Sequence, residues 1–308
     1  MKIRANNISI EIEDTGGNGT PVLLIMGLGM QLISWPPALV RPLVEAGYRV
    51  IRMDNRDIGL SQHFDHLGAP NLVWAAFKQK MGMQITPPYT LHDMAQDAIG
   101  VLESLGLAQA HIVGASMGGM IAQRVALAAP ERTLSLTSIM SSSGAPGLPA
   151  PSAAVMRALL SRPASPQEAA VVAHYVRLFG IIGSPAYPTD PQVLEAAILA
   201  GMRRSFHPVG TSRQMLAIAA DATRSVELSA ITRPTLVLHG KADPLVPFAC
   251  GQDTAKRIPG AQLHGIEGMG HDLPIGVITQ LLPPMLSFFA KNNPGVTHPE
   301  PSVDQASL

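Results

Sequence analysis

The spacing of apolar residues predicts that strands and helices alternate in the first half of the chain. Ile8, Ile10 and Ile12 alternate with polar neighbours, the period-two pattern of a half-buried strand, and residues 2–5 can pair with this strand as a hairpin. Residues 22–26 form a continuous apolar run, which is typical of a strand covered on both faces. The same patterns predict strands at 48–53, 111–115 and 134–140, and helices at 38–45, 91–105 and 117–129.

This alternation predicts an α/β fold, with a mainly parallel central sheet flanked by helices. The pattern changes after residue 143, because residues 144–228 show helical spacing, several helix-breaking prolines and no obvious strand. We interpret residues 144–228 as a helical cap of about four short helices. Strands return at 234–238 and 262–266, and a last helix is predicted at 274–291. Residues 1–143 and 229–291 therefore form the predicted core, and the polar tail 292–308 is predicted to be disordered.

Composition and charge limit the partners and the location. Lys plus Arg and Asp plus Glu both number 22, and the chain has no basic run, which argues against a nucleic-acid partner. Cys250 is the only cysteine, so no intrachain disulfide can form. The first residues lack the apolar core of a signal peptide, and no apolar run is long enough to span a bilayer. The sequence predicts a cytoplasmic protein without a membrane partner and leaves the oligomeric state open.

The motif Gly114-x-Ser116-x-Gly118 joins a predicted strand to a predicted helix. A nucleophilic serine needs a sharp turn with strained backbone, so that its hydroxyl projects above the end of the sheet. Side chains two positions away would collide with neighbouring backbone, which explains the two glycines. A serine that only caps a helix is the alternative, but the strand–turn–helix context favours Ser116 as a nucleophile.

A serine nucleophile needs a base and an acid that orients the base, in the chain order Ser, Asp or Glu, His. Asp243 follows the predicted strand 234–238, and His271 follows the next predicted strand. Because the carboxyl ends of parallel strands meet at one edge of the sheet, both residues should lie near Ser116. We expect Asp243 to hold the correct tautomer of His271 and to stabilise its protonated form.

Other titratable residues near these loops are interpreted as structural. Asp272 adjoins His271 and should point away from it in most backbone conformations. His239 and His264 lie within predicted strands, where a packed and hydrogen-bonded ring is expected. Asp54 and Arg56 are interpreted as a structural pair that organises a loop. The apolar stretch 71–77 can be either a wall of the pocket or a core helix, and the sequence does not decide between them.

The oxyanion formed during acyl transfer needs two backbone donors. One should be the N–H of Met117, which follows the nucleophile, and the other the N–H of Leu28 in the glycine-containing loop 27–30. We predict no metal site, since the chain has no cluster of His, Cys or carboxylate residues at ligand spacing. No organic cofactor is predicted, because Gly27-x-Gly29 lacks the third glycine of a dinucleotide-binding loop.

These residues resemble the α/β-hydrolase superfamily and, within it, the aclacinomycin methylesterase-like hydrolases. The narrower resemblance is carried by Leu-Ile-Met-Gly at 24–27, by Asp-x-Arg-Asp-x-Gly-x-Ser at 54–61, and by Gly-Met-Gly-His at 268–271. It implies a cofactor-free serine esterase with a helical cap, the triad Ser116, Asp243 and His271, and oxyanion donors at Leu28 and Met117. The sequence departs from the wider superfamily at Met26, where a histidine is frequent, and at Asp57, where a glycine is common.

The function predicted from the sequence is hydrolysis of a carboxylic ester through an acyl-enzyme. Aliphatic and methionine side chains and sparse charge favour a small-to-medium, largely apolar substrate. A carbon–carbon bond hydrolase or a cofactor-free perhydrolase with the same triad is the alternative within enzymes. A ligand-binding homologue that has lost catalysis is the alternative outside them.

Overall fold

An eight-stranded sheet forms the centre of the computed structural model, which describes residues 1–81 and 83–294. The strands follow the spatial order β1-β2-β4-β3-β5-β6-β7-β8. Only the pairings of β1 with β2 and of β2 with β4 are antiparallel. The strands are β1 (Lys2–Ala5), β2 (Ile8–Asp14), β3 (Pro21–Ile25), β4 (Arg49–Met53), β5 (Ala110–Ala115), β6 (Thr133–Ile139), β7 (Thr235–Gly240) and β8 (Gln262–Ile266).

Eleven helices occur within the described ranges. They are α1 (Pro37–Glu45), α2 (Leu72–Lys80), α3 (Leu91–Ser104), α4 (Met117–Ala128), α5 (Ala153–Leu160), α6 (Glu168–Ile182), α7 (Pro191–Arg204), α8 (Pro208–Ala220), α9 (Arg224–Glu227), α10 (Phe248–Arg257) and α11 (Ile275–Lys291). No helix in this part of the chain is both long and apolar enough to cross a membrane.

The central strands separate two hydrophobic cores. In β3, Leu23 and Ile25 belong to the core formed with α3 and α4, whereas Val22 and Leu24 belong to the core formed with α1 and α11. Since side chains alternate across a strand, a strand that is covered on both faces must be apolar at every position. The predicted α/β architecture, a mainly parallel sheet flanked by helices, is therefore confirmed.

Several details differ from the sequence prediction. The segment 144–228 holds five helices, α5 to α9, instead of about four, because Arg224–Glu227 adds a single short turn. Helix α10 was not predicted. The stretch 71–77 begins helix α2, but it is not a core helix, since Trp74 and Phe77 are 52% and 47% exposed. Of the tail 292–308, the part from 295 onward lies outside the described residues.

The helices α5 to α9, here called the insertion helices, are joined to the core by a buried ion pair. The guanidinium of Arg213 in α8 donates two hydrogen bonds of 2.7 and 2.8 Å to the carboxylate of Asp57, and both side chains are fully buried. Burial alone would raise the pKa of Asp57, but the hydrogen bonds from Arg213 and from the Phe64 N–H hold that pKa below its usual value. The pair is therefore ionised in the folded protein.

Asp57 also has an unusual backbone. Its φ of 71° lies in the left-handed region, which a glycine enters at no steric cost. This geometry explains why a glycine is common at this position in the wider superfamily. Here the strained backbone is tolerated together with a side chain that holds α8.

Replacement of Arg213 by Met should lower the free energy of unfolding by about 3–5 kcal/mol, because it leaves the Asp57 carboxylate buried without its cation. Adding Asp57→Gly should recover most of this loss, since glycine removes the charge and fits the positive φ. Urea unfolding of wild type, the single variant and the double variant measures both effects. Equal losses in the single and double variants would contradict this account of the pair.

Arg203→Met is the matched control in the neighbouring helix. Arg203 pairs with Glu168, but these side chains are 67% and 49% exposed. Solvent screens such a pair, so this variant should change the free energy of unfolding by less than about 1 kcal/mol.

His111 lies near the beginning of β5. It is buried beside Phe289, which belongs to the core formed with α1 and α11. Its Nδ1 lies 2.7 Å from Ser135 Oγ, its Nε2 lies 2.9 Å from Asn293 Oδ1, and its ring stacks on Phe289. Burial lowers the pKa of His111 from 6.5 to about 4, although the bond to Asn293 opposes this shift. The neutral ring is thus the form that the fold accommodates.

The unfolded chain binds a proton at His111 below about pH 6.5, whereas the folded protein resists protonation until about pH 4. Acidification between these values should therefore destabilise the wild type by about 3 kcal/mol more than His111→Gln. Urea titrations at several pH values measure this difference. A His111→Gln variant whose free energy of unfolding has the same pH dependence as that of the wild type would refute this assignment.

Candidate active site

Ser116 lies on a sharp turn between β5 and α4. Its backbone has φ 55° and ψ −120°, a conformation that L-residues rarely adopt. The turn has no room for side chains on either side. A Cβ on Gly114 would lie 2.0 Å from the Gly118 carbonyl oxygen, and a Cβ on Gly118 would lie 2.0 Å from that of Ile25. The motif spacing thus follows from the closeness of the backbone segments.

Neighbouring backbone holds the turn in place. The Ser116 N–H donates to the carbonyl of Ile139 at the end of β6, and the Ser116 carbonyl accepts from Ser141 Oγ at 2.7 Å. The first helical N–H groups of α4 then follow directly, which places the positive end of the helix dipole beside the serine.

Asp243 lies in the loop after β7, where its carboxylate is held by three groups. Oδ1 accepts the N–H groups of Leu245 and Val246 at 2.9 and 2.8 Å, and Oδ2 faces Nδ1 of His271. The two backbone bonds fix the orientation of the carboxylate, so that Oδ2 is directed at the imidazole.

His271 follows β8 and lies between the other two side chains. Its Nδ1 is 2.7 Å from Asp243 Oδ2, and its Nε2 is 2.9 Å from Ser116 Oγ. With the Nδ1 proton donated to the carboxylate, Nε2 has a free lone pair that can accept the serine proton. The structure thus brings together the three side chains that the sequence singles out, across separations of 155 and 28 residues.

The backbone of His271 is fixed by the insertion helices. Its N–H donates to the Ile182 carbonyl at the end of α6, with a distance of 2.7 Å. Ser184, two residues further along, accepts the N–H of Gly270 and donates to the carboxylate of Asp272. The loop that carries His271 is therefore bound to the segment that follows α6.

The loop after β3 lies beside Ser116. A Cβ on Gly27 would lie 3.1 Å from Ser116 Cβ and 3.7 Å from its Oγ. The loop is a turn closed by the Met30 N–H and the Gly27 carbonyl, with Gly29 at φ 69°. Within the described residues, neither the Leu28 nor the Met117 N–H has a hydrogen-bond acceptor. Both predicted oxyanion donors thus remain free to bind an incoming oxygen.

Asp54 and Arg56 do not pair with each other, so this interpretation was wrong. Asp54 accepts the Leu32 N–H at 2.7 Å and a hydrogen bond from Arg204 in α7, whereas Arg56 forms a bidentate pair with Asp97 in α3. The two side chains thus bind different elements: Asp54 contacts the segment after β3 and α7, whereas Arg56 contacts α3. Asp54 still organises the loops after β3 and β4, but with an arginine 150 residues away.

The predictions for three other titratable residues have different outcomes. His239 is buried and its Nε2 contacts the Val246 carbonyl at 2.7 Å, but its Nδ1 has no partner within the described structure. The expectation of a packed ring was wrong for His264, which is exposed because β8 is an edge strand. Asp272 engages Ser184, and burial raises its pKa.

One group of three potential metal ligands forms among the described residues. His63, Asp65 and His207 offer ligand atoms within 4.8 Å of one another. However, the two imidazole rings stack with a centroid distance of 3.9 Å and an angle of 1° between their planes. A ring nitrogen directs its lone pair within the plane of its own ring, so two parallel rings cannot both be directed at one ion. We therefore assign no metal to this group.

Sequence reasoning did not identify the residues of the insertion helices that contact the site. Gln214 accepts the Gly29 N–H, Arg204 binds Asp54, and Ile182 accepts the His271 N–H. Their partners lie between 89 and 185 residues away, and no local motif marks them. Asp57 is the one position at which the sequence could have indicated such a contact, because a charged residue stands where glycine is common in the wider superfamily.

Comparisons with known proteins identify similar sequences and a similar fold. Residues 22–276 match the model of the alpha/beta hydrolase family. Rhodomycin D methylesterase DnrP of Streptomyces peucetius is 32% identical over 277 residues, with 83% of this chain and 86% of that protein covered. A 2-hydroxy-6-oxononadienedioate/2-hydroxy-6-oxononatrienedioate hydrolase of Cupriavidus pinatubonensis is 27% identical, with 85% and 84% covered.

A solved structure shares the fold. The meta-cleavage product hydrolase of Pseudomonas fluorescens IP01 superimposes with a TM-score of 0.73 and 21% identity, over 95% of this chain and 98% of that one. With the family model covering most of the chain, these relatives support hydrolase activity. The chain belongs to the alpha/beta hydrolase family.

Proposed function

We propose that the protein hydrolyses a carboxylic ester through an acyl-enzyme, with Ser116 as nucleophile, His271 as general base and Asp243 as the orienting acid. The observation that carries the proposal is the continuous line of hydrogen bonds from Ser116 Oγ through His271 to Asp243, with distances of 2.9 and 2.7 Å. The chain order and the strained serine turn are those of a nucleophile elbow.

In this mechanism, Ser116 Oγ attacks the ester carbonyl while its proton passes to His271 Nε2. Asp243 Oδ2 stabilises the imidazolium through the Nδ1–H bond and does not itself become protonated. The imidazolium then protonates the leaving alcohol. In the second half of the reaction, His271 removes a proton from water, which attacks the acyl group and releases the acid and Ser116.

The Leu28 and Met117 N–H groups are the proposed donors to the tetrahedral oxyanion. They flank Ser116 from the loop after β3 and from the start of α4. Such donors are already oriented before the charge develops, and each contributes about 3–4 kcal/mol to transition-state stabilisation.

The proposed substrate is a small-to-medium, largely apolar ester held under a cap formed by residues 144–228. Charged side chains on the loops after β4 and β8 are engaged by protein partners: Asp54 by Arg204, Asp57 by Arg213 and Asp272 by Ser184. A charged substrate group would compete with these bonds, whereas an apolar group leaves them intact. The methylesterase named among the relatives supports an ester substrate.

Carbon–carbon bond hydrolysis is the second candidate, favoured by the similarity to the 2-hydroxy-6-oxononadienedioate/2-hydroxy-6-oxononatrienedioate hydrolase. The same triad could also serve a perhydrolase, or be retained in a protein that only binds ligand. Assays of a ring-fission dienoate and a short-chain ester with the same preparation distinguish the two hydrolases.

Wild type should hydrolyse p-nitrophenyl butyrate and form one adduct with a fluorophosphonate, located at Ser116 by mass spectrometry. Ser116→Ala should lose the adduct and lower kcat by at least about 10⁴-fold. A folded wild type that neither turns over the ester nor reacts with the probe would refute the esterase and favour the ligand-binding alternative.

Asp243→Asn should lower kcat by about 10⁴-fold with little change in KM, because an amide can force His271 into the wrong tautomer. Asp272→Asn is the matched control: it alters the acid adjacent to His271, which is partly buried, and its amide oxygen can still accept from Ser184. It should change kcat less than about tenfold. Equal losses in the two variants would contradict the assignment of Asp243 as the orienting acid.

A further inference from the structure

Gln214 of α8 joins two loops of the core through its side-chain amide. Its Oε1 accepts the Gly29 N–H at 3.0 Å, and its Nε2 donates to the Arg56 carbonyl at 3.0 Å. The side chain is fully buried. A buried glutamine is costly unless both ends of its amide are bonded, and here both are bonded to backbone groups at the edge of the sheet.

The bond to Gly29 acts on the turn that carries Leu28. Because Met30 N–H donates to the Gly27 carbonyl and only the second central residue, Gly29, has a positive φ, the turn is of type II. In this type the peptide between Leu28 and Gly29 is reversed relative to a type I turn. An acceptor fixed opposite the Gly29 N–H therefore selects one of the two orientations.

We propose that Gln214 is a positioning residue for the oxyanion site: it holds Gly29 so that the adjacent Leu28 N–H faces the oxygen bound at Ser116. This inference rests on the proposed acyl-enzyme mechanism. It assigns to the insertion helices a part in transition-state stabilisation in addition to any role in covering the substrate.

The surroundings of Gln214 make it suitable for this role. On the same face of α8, the Thr211 side chain limits the room next to Gly29, where an added Cβ would meet it at 2.9 Å. One residue before Gln214, Arg213 fixes α8 to Asp57 independently of the loop. The helix is therefore held in place even when the amide is removed, and the loop is the part that loses a restraint.

The test compares wild type with Gln214→Met and Gln214→Glu. Methionine keeps the length of the side chain but bonds to neither loop, whereas glutamate keeps an acceptor for the Gly29 N–H. The measured quantities are kcat and KM for p-nitrophenyl butyrate and the inhibition constant of an alkyl trifluoromethyl ketone. The hydroxyl of a catalytic serine adds to the carbonyl of this ketone. The oxyanion that forms would be bound by the Leu28 and Met117 N–H groups.

Gln214→Met should lower kcat by about 10–100-fold, since loss of a whole oxyanion donor costs about 10²–10³ in kcat. The inhibition constant of the ketone should rise by the same factor, while KM changes less than about threefold. Gln214→Glu should remain within about tenfold of wild type in both quantities. If the methionine variant does not fold, the glutamate variant still tests the proposal, because a folded glutamate variant with losses as large as 100-fold would overturn it.

Gln123→Met is the control for loss of a buried amide elsewhere. Gln123 in α4 accepts a hydrogen bond from Arg224 and has no bond to the Gly27–Met30 turn. This variant should lower the melting temperature while the ratio of the ketone constant to KM stays at the wild-type value.

A Gln214→Met protein with wild-type kcat and ketone affinity would overturn the positioning role. A Gln214→Met protein that is less stable, but whose ratio of the ketone inhibition constant to KM equals that of the wild type, would overturn it as well. Both results presuppose an active wild type. An inert wild type would instead refute the proposed function, so failures of the two proposals are distinguishable.

Discussion

The left-handed backbone at Ser116 is the constraint on which the site depends. A serine at φ 55° is strained, and such a conformation persists only where the surroundings determine it. Here they do: Gly114 and Gly118 allow the turn to close, Ile139 accepts the serine N–H, and Ser141 binds its carbonyl. Because β3, β5 and β7 extend to the same edge, the loop that carries Leu28, the Ser116 turn and the loop of Asp243 are positioned by one sheet.

The insertion helices also hold loops at this edge of the sheet. Two of the loops that carry proposed catalytic groups are bonded to them: Gln214 binds the turn after β3, and Ile182 binds the His271 backbone. Arg213 and Arg204 reach Asp57 and Asp54 on the loop after β4. Displacement of the insertion helices as one rigid body would break these bonds, including the buried pair of Arg213 and Asp57.

The sequence predicts the alternation of strands and helices, the position of Ser116 and the order of Asp243 and His271, because local periodicity and turn chemistry determine these features. It does not predict which charges pair. Arg56 finds Asp97, Asp54 finds Arg204, and Asp57 finds Arg213, at separations of 41, 150 and 156 residues. Such pairs are set by how elements dock in three dimensions. The exposure of α2 and of His264 likewise depends on what covers an element, which its own residues do not encode.

Asp57 connects these observations. A glycine would adopt φ 71° without strain, so an aspartate there has a conformational cost that glycine avoids. The carboxylate offsets this cost because both of its oxygens accept hydrogen bonds from Arg213. Arg213 in turn holds the helix that carries Gln214. A glycine at this position would remove the buried carboxylate and leave Arg213 with the exposed carboxylate of Asp65, 3.5 Å away, so Arg213 is best accommodated when residue 57 is an aspartate. The local strain at Asp57 is thus coupled, through one helix, to the turn that faces Ser116.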